Sequence, residues 1–561
     1  MEKITFPAIL QALHASAETK TPANYQIFAD RFTEKEDSPL WIDAVSTNSR
    51  ELADLAAAGH HTLFVPLVGE RVDAHRFIPD AREVGATAAL ASRSWLQSAK
   101  GQELLSLEGV RLLSPCAKKT PLLHCDTEYQ KPASNPEQSY YGKPYFTCIE
   151  VEDTLDALQS LAAWYRSLFS IPVIGITGSV GKTTTKEMVA AALETALTIH
   201  KTAGNQNSQV GLPLTLFGLE RRHQAAVIEM GMSEFGEMSR LAAMARPDHA
   251  IMTNIGVAHI GNLGSQENIR SEKLHITDFF QEKSMLFLNA DDPLLADCQT
   301  LFYEKTPFFS FPQKMSENSL IFFGAEGSIE TSKTTPAFYA TQIQASGTGQ
   351  TFLFHYPDGE PAFIELQVLG LHNVRNALAA LTVAWKLGIP PKTAKQGLAS
   401  YAPLAMRGNL IEANGIRILD DSYNASPDSM KSSIEVLSSV STKNLSRRFV
   451  VLADVLELGE QSEALHREVG TFLALHNRRI GQADQAPINC LITIGTESLL
   501  IEKGFLEEVR PADPPLSCHH FEENAEAAAF LKAELRPGDA VLIKGSRGMK
   551  TEEIVAALQH G

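Results

Sequence analysis

Short apolar runs alternate with helical stretches along much of the chain, which is typical of an α/β protein. The runs Val173 to Thr177, Ala225 to Met230 and His249 to Asn254 have the length and composition of buried strands in a parallel sheet. Before the first of these runs, apolar residues at helical spacing predict a helix that begins at Asp153 or Thr154. The central part of the chain is therefore expected to be a parallel sheet flanked by helices.

The texture of the sequence changes twice, and these changes predict three domains. Residues 101–145 are rich in Pro, Lys, Ser and Gln, and we expect an irregular insertion or linker there. Near Pro403, a pattern typical of helices ends and a second series of alternating strands and helices is predicted to begin. Strands in this last part are predicted at 417–420, 449–453, 490–494 and 540–543. The predicted domains are a small N-terminal α/β domain over 1–150, a central domain over 151–402 and a C-terminal α/β domain over 403–561.

Composition mainly excludes classes of partner. The chain has 561 residues, 44% of them hydrophobic, and a formal net charge of −17 at pH 7. An acidic chain with scattered basic residues is not expected to bind nucleic acid or an anionic membrane surface. The sequence shows no secretory signal pattern and no apolar run of membrane-spanning length, so we expect a cytoplasmic enzyme without membrane insertion. Its six cysteines lie far apart and lack metal-ligand spacing.

The segment PVIGITGSVGKTTTKEM, residues 172–188, joins a predicted strand, a glycine-bearing turn and the start of a helix predicted over Glu187 to Leu197. Glycines let the backbone aim N–H groups at an anion, Lys182 supplies a mobile positive charge, and the Thr183 hydroxyl can bind Mg²⁺. The chain has Ile176 where the full pattern has glycine, so the alternative is a purely structural turn. The context favours a phosphate loop formed by Gly178, Ser179, Val180, Gly181, Lys182, Thr183 and Thr184.

Three further polar residues are candidates for a magnesium-nucleotide site. Glu229 lies near the carboxyl end of a predicted strand, where parallel sheets present ligand groups. His259 follows the next predicted strand, in the loop IGVAHIGNLGS, and Lys273 lies on a predicted helix, ENIRSEKLHI. Taken singly, each residue has a simpler interpretation: a solvated glutamate, a surface histidine, and a lysine in a surface position or salt bridge.

A series of segments resembles the Mur ligases, the ATP-dependent amide-bond ligases of peptidoglycan synthesis. In order they are TGSVGKTT, GNQNSQVGLPLTL, IEMGMSEFGEM, TNIGVAHIGNLGS, EKLHI, LGLHNVRNALAA, DDSYNASPDS, VLADVLELG and LIKGSRGMK. They cover nearly the whole chain from Val151 onward, and VSTNSRE followed by LFVPLVGERVDAHRFI resembles a segment that holds a uridine diphosphate sugar. The chain departs from the family pattern at Asn48, Ser208 and Ala453, where Asp, Asn and Gly are common. The resemblance implies an N-terminal UDP-sugar-binding domain, a central ATP-binding domain and a C-terminal Rossmann-like domain.

The resemblance also implies roles for individual residues. Thr183 and Glu229 match ligands of a nucleotide-bound Mg²⁺, and His259 matches a ligand of a second Mg²⁺. Lys273 matches a lysine that the family carbamylates with CO₂, and Lys182 completes the implied catalytic set. The implied additional ATP-binding residues are His372, Asn373, Asn376, Arg407 and Asp421. The implied substrate-binding residues are Ser49, Arg50, Asn205, Asn207, Ser208, Tyr423, Asn424 and Ser426.

Within the family, the segment SYNASPDS is most similar to members that add D-alanyl-D-alanine to a UDP-N-acetylmuramoyl tripeptide. The resemblance therefore implies an ADP-forming ligase that uses these two substrates and an acyl-phosphate intermediate, and we expect a monomer. The alternatives are a tripeptide-forming Mur ligase, a ligase similar to folylpolyglutamate synthetase, and a nucleotide-binding scaffold without activity. Composition alone also allows that the turn at 423–427 only begins the next helix. The third residue of the tripeptide, diaminopimelate or lysine, stays open.

Overall fold

The computed structural model describes residues 1–18, 41–113, 146–302, 309–325, 336–346, 349–440, 447–482 and 486–560. They fall into two compact units, the first formed by 1–172, 202–228 and 243–246, the second by 173–201, 229–242 and 247–561. Most of the expected insertion, residues 114–145, lies outside the described residues. The domain boundaries near residues 150 and 403 stay predictions.

A parallel sheet flanked by short helices forms the N-terminal part of the chain. Its elements are β1 (Ile4–Thr5), α1 (Phe6–Glu18), β2 (Trp41–Ile42), β3 (Ala44–Ser46), α2 (Leu52–Ala57), β4 (Thr62–Phe64), α3 (Ile78–Glu83), β5 (Ala88–Ser92), α4 (Arg93–Leu96), α5 (Ala99–Ser106), β6 (Val110–Leu113), β7 (Phe146–Val151) and α6 (Thr154–Ser167). The sheet has the order β3-β4-β5-β7-β6 and is parallel throughout. The prediction of irregular chain is wrong for residues 101–113, which complete α5 and form β6, since Leu104 packs into this domain's core.

Helix α6 confirms the predicted helix start. The Asp153 side chain caps it by accepting hydrogen bonds from the backbone N–H groups of Leu155 and Asp156, both at 2.8 Å. Leu158, Leu161 and Tyr165 of the predicted apolar face are fully buried. The amphipathic spacing therefore predicted the centre of the packed face, whereas Leu168, also assigned to that face, is 42% exposed where the helix ends.

The central part of the chain alternates strands and helices. Its elements are β8 (Val173–Thr177), α7 (Lys182–Glu194), β9 (Ile199–Lys201), α8 (Gly211–Phe217), β10 (Ala225–Glu229), α9 (Glu237–Ala245), β11 (His249–Met252), α10 (Ile260–Leu263), α11 (Gln266–Leu274), β12 (Met285–Asn289), α12 (Pro293–Ala296), α13 (Cys298–Leu301), β13 (Leu320–Ala325), β14 (Phe338–Ser346), β15 (Gly349–His355), β16 (Ala362–Leu366), α14 (Leu371–Lys386) and α15 (Pro391–Ala399). In the second unit, strands follow the order β16-β15-β14-β13-β12-β11-β8. The pairs from β8 to β14 are parallel, and β15 and β16 extend the edge as antiparallel strands.

Helix α7 begins earlier than predicted. The prediction places its start at Glu187, but the helix runs from Lys182 to Glu194. The backbone N–H of Thr185 already donates to Gly181 O at 2.8 Å, so the first helical turn contains the polar residues that follow the glycine. Because these polar residues have no apolar periodicity, a hydrophobic pattern could not show that they are helical.

The C-terminal part contains a second, mainly parallel sheet. Its elements are β17 (Asn409–Ala413), β18 (Ile416–Asp420), α16 (Pro427–Ser439), β19 (Arg448–Ala453), α17 (Ser462–Gln482), β20 (Cys490–Ile494), α18 (Leu499–Glu508), β21 (Ser517–Phe521), α19 (Asn524–Glu534), β22 (Ala540–Lys544) and α20 (Glu552–Gln559). The strand order is β17-β18-β22-β19-β20-β21, with only the edge pair β17–β18 antiparallel. Buried Ile418, Val451, Ile492 and Val541 from four strands form its core. The predicted α/β class is confirmed.

No helix in the described part of the chain is long and apolar enough to cross a membrane.

Helix α15 packs closely on α7, the helix that starts at the candidate phosphate loop. A Cβ atom at Gly397 would lie 1.9 Å from the backbone oxygen of Ala191. We therefore predict that Gly397→Ala destabilises the protein by roughly 1–3 kcal/mol, because the two helices would have to move apart. Urea denaturation followed by circular dichroism measures this change. Gln396→Ala, at the exposed neighbouring position, should leave the unfolding midpoint unchanged, and equal midpoints for both variants would contradict the prediction.

Candidate functional site

The candidate phosphate loop has a backbone shape that requires its two glycines. Gly178 and Gly181 adopt φ values of +145° and +85°, in the region that side chains disfavour. A Cβ atom at Gly178 would lie 1.9 Å from the Thr253 hydroxyl oxygen, so a larger residue could not fit there. The loop therefore has the tight turn that the sequence predicts between β8 and α7.

The pair of residues that directly follows β11, Thr253 and Asn254, fixes the conformation of this loop. Asn254 accepts hydrogen bonds from Ser179 N at its backbone oxygen (3.0 Å) and from Val180 N at its side-chain oxygen (2.9 Å). Thr253 donates its hydroxyl to Val180 O at 2.6 Å. The sequence analysis missed both residues as partners of the loop. Their position at the end of the neighbouring strand was the available signal.

Two lysines converge on one backbone carbonyl of the loop. Lys182 Nζ donates to Gly178 O at 2.8 Å and to Ser179 O at 3.3 Å, and Lys273 Nζ donates to Gly178 O at 3.2 Å. Lys273 is only 1% exposed. Burial, together with the positive charge of Lys182, holds the pKa of Lys273 well below its usual value, although Glu272 opposes the change. The surface-lysine interpretation of Lys273 is therefore wrong.

Burial also lowers the pKa of Lys182, and Glu229 opposes that change. Glu229 is 2% exposed, so it is not a solvated strand-end residue. Lys186, fully buried one turn beyond Lys182, has its Nζ 3.8 Å from Glu229 Oε2 and 3.1 Å from Glu187 Oε1. The sequence analysis missed Lys186, whose spacing of four residues from Lys182 was the available signal. The loop and the end of β10 thus combine three lysines with one deeply buried carboxylate.

His259 lies just before α10 in a left-handed backbone conformation, with φ +62°. Its Nδ1 atom lies 2.9 Å from Glu457 Oε2, an ion-pair partner in the C-terminal part of the chain that the sequence analysis missed. Burial lowers the pKa of His259, Glu457 acts in the opposite direction, and the charges of Lys273 and Lys182 lower the pKa further. His259 is thus within electrostatic reach of both lysines.

The donor chemistry around the loop fits a magnesium ion. Thr183 is buried in the first turn of α7 and offers a hydroxyl, Glu229 offers a carboxylate and His259 an imidazole. The hydroxyl and the carboxylate are oxygen donors, which suit Mg²⁺, and His259 adds a nitrogen donor. Mg²⁺ takes few protein ligands and completes its shell with water and substrate phosphates. In the ranges that the structure describes, no group of three or more His, Cys, Asp and Glu side chains could hold a metal by itself.

Helix α14 contacts the phosphate loop through an amide. Asn376 accepts a hydrogen bond from the Thr185 hydroxyl at 3.0 Å, and a Cβ atom at Gly181 would lie 3.1 Å from Asn376 Oδ1. Asn373 in turn accepts from Asn376 Nδ2 at 3.3 Å. Burial lowers the pKa of His372 to about 4, so this imidazole is neutral at pH 7. Asn376 and Asn373 thus place neutral amides beside the loop, and His372 adds a neutral imidazole at the start of the same helix.

The predicted Asp421 forms an ion pair with Lys544. Lys544 Nζ lies 2.5 Å from Asp421 Oδ2 and also donates to Asn424 O at 3.1 Å, while Ser433 donates its hydroxyl to Asp421 at 2.6 Å. Burial tends to raise the pKa of Asp421, but Lys544 and Ser433 outweigh it and the net pKa is lowered. Lys544 was missed in the sequence. Asp421 is therefore charged and held in place.

The Tyr423 ring makes a cation–π contact with an arginine. The Arg407 guanidinium carbon lies 3.8 Å from the ring centroid, and that of Arg547 lies 5.8 Å away. The backbone N–H of Arg547 donates to Asn424 Oδ1 at 3.2 Å. Ser426 instead caps α16, accepting from Ser429 N at 3.3 Å. The helix-start interpretation therefore holds for Ser426, whereas Tyr423 and Asn424 lie in a basic surrounding.

The candidates of the first unit lie in two turns. Ser49 and Arg50 belong to a short turn in which Asn48 Oδ1 accepts from Arg50 N at 3.1 Å. Asn205 and Ser208 are exposed, and Asn207 N donates to Asn205 O at 2.8 Å. Asn48, the residue that departs from the family pattern, thus still serves as the cap of its turn.

Comparisons with known proteins agree with this geometry. Residues 176–384 match the family model described as the Mur ligase middle domain, and residues 406–547 match the Mur ligase, glutamate ligase domain. The chain is 33% identical to the UDP-N-acetylmuramoyl-tripeptide–D-alanyl-D-alanine ligase of Bacillus subtilis (strain 168), over 92% of this chain and 93% of that protein. The enzyme of the same name from Escherichia coli (strain K12) is 29% identical, over 94% and 96% of the two chains.

Solved structures show the same fold. The crystal structure of MurF ligase from Thermotoga maritima in complex with ADP is 25% identical, with a TM-score of 0.68 over 92% of this chain and 97% of that one. A MurF structure from Acinetobacter baumannii covers both chains completely with a TM-score of 0.72.

Proposed function

The chain belongs to the Mur ligase family, and we propose that it joins D-alanyl-D-alanine to a UDP-N-acetylmuramoyl tripeptide, converting ATP to ADP and phosphate. The observation that carries this proposal is the convergence of Lys182 and Lys273 on the Gly178 carbonyl of the phosphate loop. It occurs in a chain that matches a relative of that name along nearly its whole length. Such an enzyme meets its nucleotide substrates in the cytoplasm.

The chemistry must overcome the poor reactivity of a carboxylate toward an amine. The terminal carboxylate of the tripeptide attacks the γ-phosphorus of ATP, which forms an acyl phosphate and releases ADP. The free amine of D-alanyl-D-alanine then attacks the acyl carbon and loses a proton, and the tetrahedral intermediate collapses to the amide and phosphate. Water would hydrolyse the acyl phosphate, so the substrates must be enclosed before transfer.

The Lys182 ammonium is the group that stays in contact with the phosphoryl group while it is transferred. Its Nζ now contacts the carbonyl oxygens of Gly178 and Ser179, which it can exchange for phosphate oxygens when a nucleotide binds. A positive charge held in place by the loop stabilises negative charge that develops during transfer. Glu229, by opposing the fall in the Lys182 pKa, supports the charged form of this lysine.

Thr183, Glu229, His259 and a carbamylated Lys273 are the residues that would hold magnesium. When bound, magnesium supplies positive charge that offsets the charge of the phosphates. Only a neutral amine attacks CO₂, and the lowered pKa of Lys273 supports that form. Attack forms the N–C bond and the nitrogen then loses a proton, so that a neutral amine becomes an anionic carbamate, which could serve as a metal ligand.

The other predicted site residues are assigned to three ligands, according to the part of the chain in which they lie. Ser49 and Arg50 of the predicted domain 1–150 bind the uridine diphosphate part, and Asn205, Asn207 and Ser208 bind the donor near the phosphates. His372, Asn373, Asn376, Arg407 and Asp421 bind the nucleotide. Tyr423 and Asn424 bind the dipeptide acceptor, whose carboxylate suits the basic surrounding that Arg407 and Arg547 create near the Tyr423 ring.

Removing the charge of Lys182 tests the phosphate-loop role. Lys182→Ala should lower turnover by ~10²-fold or more, because one preorganised electrostatic group is lost. Phosphate release with saturating substrates gives this number. Lys392→Ala, an exposed lysine on α15, should retain full activity. Activity of Lys182→Ala near that of the control would contradict the assignment.

Lys273→Ala should be nearly inactive, because the anion that carbamylation provides is missing. Formate or acetate should restore part of the activity, since a small carboxylate can enter the space left by the side chain. Lys273→Met fills that space with a chain of similar length, so it should be inactive and not rescued. A carbamate signal in NMR spectra after exposure to carbon-labelled bicarbonate checks the modification directly. A fully active Lys273→Ala would disprove the role of this lysine.

Substrate choice separates the dipeptide-adding activity from the others in the family. Phosphate release should require ATP, Mg²⁺, a UDP-N-acetylmuramoyl tripeptide and D-alanyl-D-alanine together, with the tripeptide tried in its diaminopimelate and lysine forms. L-Alanyl-L-alanine and free D-alanine should be poor substitutes, because they leave buried polar groups of the site unpaired. Addition of a single amino acid to a shorter nucleotide precursor would overturn the dipeptide assignment and leave the ligase assignment intact.

A further inference from the structure

We propose that Glu457 is a positioning residue for His259: when metal binds, its nearby carboxylate accepts the Nδ1 proton, which leaves Nε2 as the metal ligand. This inference rests on the proposed function, because it takes His259 as a metal ligand. It adds a residue from the predicted C-terminal domain, 403–561, to a metal site whose other protein groups come from the central part.

The contact between the two side chains is direct. His259 Nδ1 lies 2.9 Å from Glu457 Oε2. The Nδ1 atom is inaccessible to solvent and makes no hydrogen bond of good geometry, although the His259 side chain as a whole is 28% exposed. Nδ1 is thus a buried polar atom with the Glu457 carboxylate in reach but not yet aligned with it. The exposed part of this side chain is therefore made up of its other atoms. Glu457 lies on the shielded side of the imidazole.

Both residues are held in unusual backbone conformations. His259 has φ +62° and Glu457 has φ +69°, and neither is a glycine. A left-handed conformation is disfavoured for a residue with a side chain, so the surrounding structure must impose it. Two such residues facing each other indicate that the geometry of this pair is built by its loops.

The loop that carries Glu457 is anchored on both sides. Val455 N donates to His466 Nε2 at 3.1 Å, and Leu456 N donates to Ser546 Oγ at 2.9 Å. Leu458, on the other side, is 2% exposed. The glutamate thus projects from a fixed frame, even though its own side chain is 65% exposed.

The two loops also fit each other closely. A Cβ atom at Gly459 would lie 3.0 Å from Gly261 Cα, and one at Gly261 would lie 3.0 Å from Glu457 O. Gln461 Nε2 donates to Gly264 O at 3.3 Å. Small residues at both glycine positions therefore allow the approach that brings Glu457 to His259.

The chemistry of imidazole explains the benefit of this arrangement. A neutral ring that donates Nδ1–H to a carboxylate keeps its lone pair on Nε2, which fixes both the tautomer and the orientation of a metal ligand. Removing such a partner typically weakens metal binding by about 10–100-fold. Glu457 lies far from His259 in sequence. In this proposal the metal site is therefore complete only when the loop that carries Glu457 packs against His259.

Metal affinity tests the proposal without relying on turnover. Mn²⁺ binding to the full-length protein with ADP is measured by electron paramagnetic resonance for Glu457→Ala, Glu457→Gln and the exposed neighbour Glu460→Ala. Glu457→Ala should weaken Mn²⁺ binding by about 10–100-fold. Glu457→Gln keeps an oxygen acceptor and should retain most of the affinity, and Glu460→Ala should be unchanged. Ala and Gln share the backbone constraint of Glu457, so strain does not distinguish them.

His259→Ala and the double variant with Glu457→Ala complete the test. If Glu457 acts through His259, the double variant should bind Mn²⁺ no more weakly than His259→Ala alone. Unchanged or tighter binding by Glu457→Ala overturns the proposal, tighter binding indicating that the carboxylate competes with the metal. Loss of affinity in His259→Ala without loss in Glu457→Ala overturns this inference alone. Unchanged affinity in His259→Ala overturns the metal role of the histidine as well.

Discussion

Two lysine side chains donate hydrogen bonds to the same carbonyl oxygen, and the chemistry of the site depends on how close this brings their charges. Lys182 and Lys273 both donate to Gly178 O, within a turn that only glycine permits. Two ammonium groups so close together repel each other, and burial makes that repulsion stronger. Burial lowers the pKa of both lysines; the charge of Lys182 lowers that of Lys273 further, and the charge of Arg407 does the same for Lys182. Glu229 supports the charged state of Lys182, and Lys273 is left as the group that gives up its proton.

The rest of the site holds these charges in position with neutral groups. Asn254 and Thr253 bind the backbone of the loop, and Asn376 lies against its last glycine. Amides and hydroxyls of this kind orient a loop without adding charge to a crowded site. In the C-terminal part, Asp421 is neutralised by Lys544. The arrangement separates the groups that fix the loop from the groups that meet the phosphates.

The sequence predicted the elements of this site better than its pairings. The strand before the loop and the helix carrying Lys273 follow from local periodicity, and Gly178 and Gly181 from turn chemistry. Asp421 and Lys544 are 123 residues apart, and nothing local to either one indicates the other. The irregular segment expected at 101–113 is wrong for the opposite reason, since an apolar core overrode a polar composition. Contacts between distant segments decide the charge states, so these could not be predicted.

A lysine at position 273 solves a folding problem that a permanent carboxylate would create. The side chain is almost fully buried, and an unpaired buried carboxylate costs several kcal/mol before any metal is present to offset it. A lysine with a strongly lowered pKa can enter the same space as a neutral amine. In the proposed mechanism the negative charge is added afterwards by CO₂, when metal and nucleotide can balance it. The lowered pKa thus lets the side chain be buried without charge, and the same neutral amine is the form that reacts with CO₂.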